Sequence, residues 1–209
     1  LLGAVIASRL PEAPVVGGER SRGPFISREA LGPGVTFALS VVGFAAVSAF
    51  IVLSLDQRGI GHGAEVFSVF AGTVVATRLL VGAARCAVGA ALIEALGLLL
   101  LGAAESLPVV IVGAIAMGAA FSLLFPSLSL LAVDRVVPER RGAAMGTFTA
   151  SFDLGMLTGS PAVGAAAALG GYSAAFYLAC ACSLACAAAS ARFIPRYAGG
   201  EASPRPQES

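Results

Sequence analysis

Residues 34–55 read GVTFALSVVGFAAVSAFIVLSL and carry no charge. A bilayer core about 30 Å thick needs about 20 apolar residues in helical form, so this stretch is long enough to cross. The chain on either side divides around it. Asp56, Gln57, Arg58 and the glycines up to Gly63 form a turn. Val66 to Ala104 is apolar apart from Arg78, Arg85 and Glu94. That tract is too long for one crossing and splits near Gly82–Arg85 into spans at 64–82 and 86–104. Glu105, Ser106 and Pro108 end the second of these, and 109–133 is again free of charge. Asp134 to Arg141 is a polar loop, 142–169 is a fifth span containing Asp153, Gly170–Gly171 is a tight turn, and 172–191 is a sixth span. The tracts are continuously apolar and do not alternate, which favours helices over a β-barrel, because a helix satisfies its own backbone in lipid. Pro126 and Pro161 fall inside spans, where each is expected to mark a kink.

Composition agrees. Hydrophobic residues make up 57% of the 209 and charged residues 12%, with a mean hydropathy of +0.90. A soluble domain has about 25% charged residues and could not cover this much apolar side chain. The fold class is therefore an all-α membrane protein, a six-transmembrane-helix bundle. The net charge of +1 offers no basic field for nucleic acid. All 13 basic residues are Arg, which with the abundance of Ala and Gly suggests a GC-rich bacterial source and hence a bacterial plasma membrane. Cys86, Cys180, Cys182 and Cys186 lie in apolar stretches with no CxxC pair, so they read as small buried hydrophobes, and no metal or other cofactor is implied.

Arginine placement sets the orientation. With the segment before residue 34 inside, the cytoplasmic side holds Arg9, Arg20, Arg22, Arg28, Arg85, Arg135, Arg140, Arg141, Arg192, Arg196 and Arg205. The outer side holds Arg58 alone, and Arg78 lies within a span. The chain thus divides into the end of a preceding helix (1–8), a cytoplasmic linker (9–33), the six-helix bundle (34–194) and a cytoplasmic tail expected to be disordered (195–209). Both terminal segments are expected on the cytoplasmic side.

The strongest local pattern surrounds the fifth span. Pro138-Glu-Arg140-Arg141-Gly142-Ala-Ala-Met-Gly146 enters it, and Gly155-x-x-x-Gly159-Ser160-Pro161-x-x-Gly164 follows. Gly142/Gly146 and Gly155/Gly159 are small-xxx-small pairs, which clear one helix stripe for close approach by another helix. Either static packing or sliding would use such a stripe. The order of these motifs resembles the major facilitator superfamily (MFS), in its P-x-x-x-R-G-x-A-x-G loop, here one residue shorter between Pro138 and Arg141, and in its eleventh helix. A partial helix, a polar linker, six spans and a tail resemble the second half of that twelve-helix fold, helices seven to twelve. The segment Arg78-Leu-Leu-Val-Gly82-Ala-Ala-Arg85-Cys86 departs from the family's G-x-x-x-D-R-x-G-R-R loop, lacking the Asp and most of the basic residues.

Ionisable side chains inside spans cost about 2.5–3.5 kcal/mol each on insertion scales, so each is a candidate for function. Three stand out: Arg78, Glu94 and Asp153. All are expected in the cytoplasmic half of the membrane, close enough to allow a charge cluster. Arg78 suits snorkelling, a structural salt bridge or substrate contact. Glu94 suits structural pairing or the transport path. Asp153, about three turns into its span, is the deepest acid and is expected to be buried. It can exchange a proton or pair with Arg at a cytoplasmic gating contact. The phenylalanines at 37, 44, 50, 121 and 125 either pack or face a cavity that takes apolar solutes.

No Ser–His pair, paired carboxylates, metal-ligand grouping or phosphate-binding loop appears, so an enzyme is not expected. The resemblance implies a secondary transporter half, with proton-coupled efflux of a small organic solute or drug by alternating access. Its expected partners are the solute, protons, the bilayer and an N-terminal six-helix half. The alternative is a non-transporting truncated membrane protein or a partner half-subunit.

Overall fold

The computed structural model describes residues 27–80, 87–134 and 136–192. Among these, every regular element is helical: α1 (Arg28–Gln57), α2 (Gly63–Leu80), α3 (Ala87–Ala103), α4 (Leu107–Val133), a 3-10 turn (Pro138–Arg140) and α5 (Arg141–Ala191). The expected segments 1–8, most of 9–33 and 195–209 lie outside the described residues, as do Arg85, Cys86, Arg135 and the short loop between α2 and α3.

Four of the helical stretches are long and apolar enough to cross a membrane: α1, α2, α4 and the run Pro138–Ala191. Helix α3 has 17 residues, which at about 1.5 Å per residue falls short of a full bilayer core. Helix α5 has 51 residues but is not one rod. Gly170 (φ −135°, ψ 17°) and Gly171 (φ 74°, ψ 179°) leave helical geometry and divide it into arms at 141–169 and 172–191. The positive φ at Gly171 is open to glycine at little cost, which is why the break falls there. The helix runs on through Pro161, as α4 does through Pro126.

One boundary differs from the sequence expectation. Helix α1 begins at Arg28 instead of Gly34, so residues 28–33 are helical and do not belong to a linker. Two interactions, one local and one from a distant helix, support the turn before Pro33. Glu29 sits in the first turn, where a negative charge complements the helix dipole. The Ser27 N–H donates to Thr147 Oγ1 at 3.0 Å and pins the start of α1 against the first arm of α5.

Close approaches give the helix directions. A Cβ added at Gly155 would meet the Ala38 oxygen and Val41 Cβ at 2.9 Å, and one at Gly159 would meet Val42 Cγ2 at 3.2 Å. Gly34 faces Ser151 in the same way. The contacts advance in steps of four on both helices, so α1 and the first arm of α5 run parallel with ridges interlocked. Gly97 lies against Met117, and Gly113 against Leu101, so α3 and α4 run antiparallel. Gly118 meets Phe70, and Ser122 Oγ donates to the Val74 carbonyl at 2.9 Å, which makes α2 and α4 parallel. Gly102 meets Phe176 and Tyr177, while Glu94 lies beside Ser183, so α3 opposes the second arm of α5. Direction alternates at each successive segment.

The turn after α1 is tight, with positive φ at Gly59, Gly61 and His62. From it Arg58 reaches across to other elements. Nη1 donates to the carbonyls of Leu101 (3.0 Å) and Ala104 (2.8 Å), and Nη2 to Gly102 O and Ser173 Oγ (3.0 and 3.1 Å). A cation at a helix C-terminus satisfies carbonyls that lack intrahelical donors. Arg58 thereby ties the ends of α1 and α3 to the start of the second arm of α5.

Candidate functional site

The three in-span charges do not form a cluster. Glu94 is fully buried, whereas Arg78 and Asp153 are exposed on the bundle exterior. The sequence expectation of a buried Asp153 is therefore corrected for this chain. Residue 153 falls on the stripe of α5 that turns away from α1, while Ser151, Gly155 and Gly159 on the opposite stripe are buried. No arginine pairs with either acid among the described residues. The ion pair found there, His62 with Glu65 at 3.7 Å, lies on the surface, where such pairs contribute little.

Glu94 occupies the seam between α1, α3 and the second arm of α5. Its neighbours on α3 along the same face are Ala90, Ala91 and Leu98, all buried. Ser40 Oγ donates to Glu94 Oε1 at 3.0 Å. Gly43 supplies the space: a Cβ there would sit 3.0 Å from Oε1 and from Leu98 Cδ1. The Ser183 hydroxyl lies beside the carboxyl, but outside hydrogen-bonding geometry, so Ser183 Oγ and Glu94 Oε2 are both unpartnered. Sequence reading identified Glu94 but missed Ser40, Gly43 and Ser183. Serines and glycines in apolar helices are common, and only the helix crossings show which of them meet an acid.

On another side of α1 the aromatic rings gather. Phe37 is fully buried and packs against Phe148 (centroids 5.1 Å), Phe125 (5.6 Å), Phe121 and Phe152 (both 6.2 Å). Phe44 stacks on Phe121 at 5.0 Å and approaches Phe70 and Phe152 at 6.3 Å. These spacings suit offset or edge-on aromatic pairs. Phe44, Phe125 and Phe152 are only half-buried, so the cluster has an outward rim. The Arg78 guanidinium lies over the Phe125 ring, 5.9 Å from its centroid, within cation–π range. Arg78 is thus attached to the aromatic rim, while Asp153 follows Phe152 in sequence on the same helix.

The glycine motifs divide by face. Gly155 and Gly159 are closed against α1, but Gly142, Gly146 and Gly164 have nothing within contact distance of an added Cβ. Gly142, Gly146, Asp153 and Pro161 lie on the exposed stripe of the first arm, with Gly164 partly covered. Arg141 at its start is exposed and Arg140 is partly covered. Helix α2 shows the same bareness: its buried residues are Gly63, Val66 and Phe70, all in its first half. Among the described residues no three His, Cys, Asp or Glu side chains come together as a metal site would require.

Comparison with known proteins agrees with this arrangement of apolar helices. Residues 25–209 match the Major Facilitator Superfamily family model. An uncharacterized MFS-type transporter of Pseudomonas aeruginosa is 35% identical over 190 residues, covering 88% of this chain and 47% of the relative. One from Salmonella typhimurium is 35% identical over 159 residues, covering 73% and 41%. YhhS of Escherichia coli, also an uncharacterized MFS-type transporter, is 34% identical over 138 residues, covering 63% and 34%. The chain spans about half the length of the first of these relatives. It belongs to the Major Facilitator Superfamily, a family of multi-pass membrane transporters of small molecules.

Proposed function

We propose that this chain is the C-terminal six-helix half of a proton-coupled secondary transporter of the bacterial plasma membrane, exporting a small organic solute by alternating access. The observation that carries the reading is the bare face of α2 and the first arm of α5. It holds Arg78, Asp153, Gly142 and Gly146, and none of the described residues covers it. An N-terminal six-helix half would close over it, which agrees with the half-length match to the relatives. A path between the two halves would then run past Asp153 and the aromatic rim of Phe44, Phe125 and Phe152, surfaces suited to an apolar or aromatic solute.

Six crossings are supported by the alternating helix directions and the break at Gly170–Gly171. The arginine distribution supports cytoplasmic placement of residues 9–27, the loop 134–141 and the tail 195–209. Asp153 is the coupling acid at the junction between the halves. The test is transport by the complete two-half protein in proteoliposomes under an imposed pH gradient. Gradient-driven movement of an organic solute, abolished by Asp153→Asn, is expected; transport indifferent to the gradient would overturn the coupling. The 209 residues alone are expected to move nothing, because alternating access needs two bundles.

A further inference from the structure

The core of this half contains a polar line unrelated to the bare face. Glu94 (0% exposed), Ser40 (0%) and Ser183 (0%) meet between α1, α3 and the second arm of α5. Three buried side-chain oxygens among the described residues have no hydrogen-bond partner: Glu94 Oε2, Ser183 Oγ and Ser190 Oγ. They are not scattered. Ser183 lies beside the carboxyl, and Ser190 lies beside the buried thiol of Cys186. Positions 183, 186 and 190 recur at helical spacing, so they share one stripe of the second arm. That stripe leads from Glu94 to the helix end at Ala191, where Arg192 is exposed.

Orphaned buried polar atoms are rare in folded proteins and call for an explanation. Two of them lie on one stripe of the second arm and the third on the carboxyl of α3 that the stripe meets, so together they draw a polar line through an apolar core. The surroundings of the carboxyl come from three helices. Helix α1 offers the Ser40 hydroxyl and the space at Gly43, and α4 offers the Met117 methyl. The second arm of α5 offers Ser183, and its titratable thiols, Cys182 and Cys186, lie within electrostatic range of the carboxyl. No cationic group and no second carboxylate among the described residues acts on it. An ionised carboxylate there would be a buried charge without a counter-ion, whereas the acid carries no net charge and gains a donor for its free side.

We propose that Glu94, Ser40 and Ser183 form a proton-exchange site inside this half, reached along Cys186 and Ser190 from the end of α5. One proton from bulk water forms an O–H bond at Oε2 of Glu94, with Ser183 Oγ as its acceptor, while Ser40 continues to donate to Oε1. Release breaks that O–H bond and returns the proton along the same stripe. The site is distinct from Asp153, which lies on the bundle exterior, and places an acid within the bundle. Its use as a coupling site rests on the transporter reading above; its existence does not.

The test is infrared difference spectroscopy of the 209-residue chain in lipid vesicles, in H2O and after transfer to D2O. A carboxylic-acid carbonyl band is expected at neutral pH, lost completely in Glu94→Gln, and moved to lower frequency by deuterium within the time of buffer exchange. Ser183→Ala, which removes the acceptor without touching the acid, is expected to shift the band. This second variant keeps the test decisive if Glu94→Gln folds poorly. Absence of the band, its survival in Glu94→Gln, or failure to exchange in D2O would each overturn the proposal. None of these readouts depends on transport. A complete transporter that moves no solute would defeat the functional reading and leave the spectrum intact; a transporter fully active as Glu94→Gln would remove only the coupling role.

Discussion

Glu94 and Asp153 are the same chemistry in similar apolar helices, yet they end in opposite surroundings. Glu94 lies on a face of α3 whose neighbours are alanine and leucine, and a glycine of α1 makes room for it. Asp153 lies on a face of α5 shared with Gly142 and Gly146, and none of the described helices reaches it. The glycine pairs repeat the contrast. Gly155 and Gly159 are closed against α1 within the bundle, while Gly142 and Gly146, on the same helix, are open. Helix α5 therefore has an inner seam that is closed by the described helices and an outer seam that is not. A polar residue on the first is enclosed by helices of this chain, whereas one on the second is left exposed.

Substitutions on the two seams should separate accordingly. The largest loss is expected from Phe37→Ala, which removes the ring at the centre of four aromatic contacts. Truncating a fully buried Phe costs about 3–5 kcal/mol, measurable by unfolding of the chain in detergent micelles. A loss below about 1 kcal/mol, too small for a closed core, would erase the distinction between the seams. Arg58→Ala is expected next, at about 2–3 kcal/mol, since charge-assisted hydrogen bonds are the stronger ones. It releases the end of the helix carrying Glu94 from the arm carrying Ser183. Proteolysis within 101–106 should rise with it.

Gly155→Ala sharpens the contrast at a single methyl. Its Cβ would stand 2.9 Å from the Ala38 oxygen, and overpacking of this kind costs about 1–3 kcal/mol. Gly146→Ala on the outer seam meets open space and should leave the unfolding midpoint of this chain unchanged or slightly raised, because Ala is the better helix former. The smallest effect on stability is expected from Asp153→Asn, with no change in unfolding of the 209-residue chain. A marked destabilisation would show that Asp153 already has a structural partner here.

Much of this organisation was legible in the sequence. Uninterrupted apolar tracts located the helices, because lipid admits few other structures. Gly59–Gly63 and Gly170–Gly171 marked the turns through their conformational freedom. The beginning of α1 was misread because Pro33-Gly34 resembles a linker end, whereas the interaction that extends the helix comes from Thr147, far along the chain. The candidate site was less legible for the same reason. Sequence hydropathy identifies an acid in a membrane helix, but whether it is buried depends on which helix crosses at that level. Ser40, Gly43 and Ser183 acquire meaning only when three helices converge on Glu94. Arg58 read as a loop cation and turns out to be a clamp between three elements.

The measurement closest to the centre of this picture is sidedness in the membrane. Single cysteines introduced into a cysteine-free chain at Ile60→Cys, Val137→Cys and Arg196→Cys, labelled in intact cells with an impermeant maleimide, report it directly. Label at residue 60 from outside, with 137 and 196 protected until the membrane is opened, is the outcome expected of six alternating crossings. Residues 137 and 196 on opposite faces would mean that the two arms of α5 do not both cross, and the division into an inner and an outer seam would fail with them.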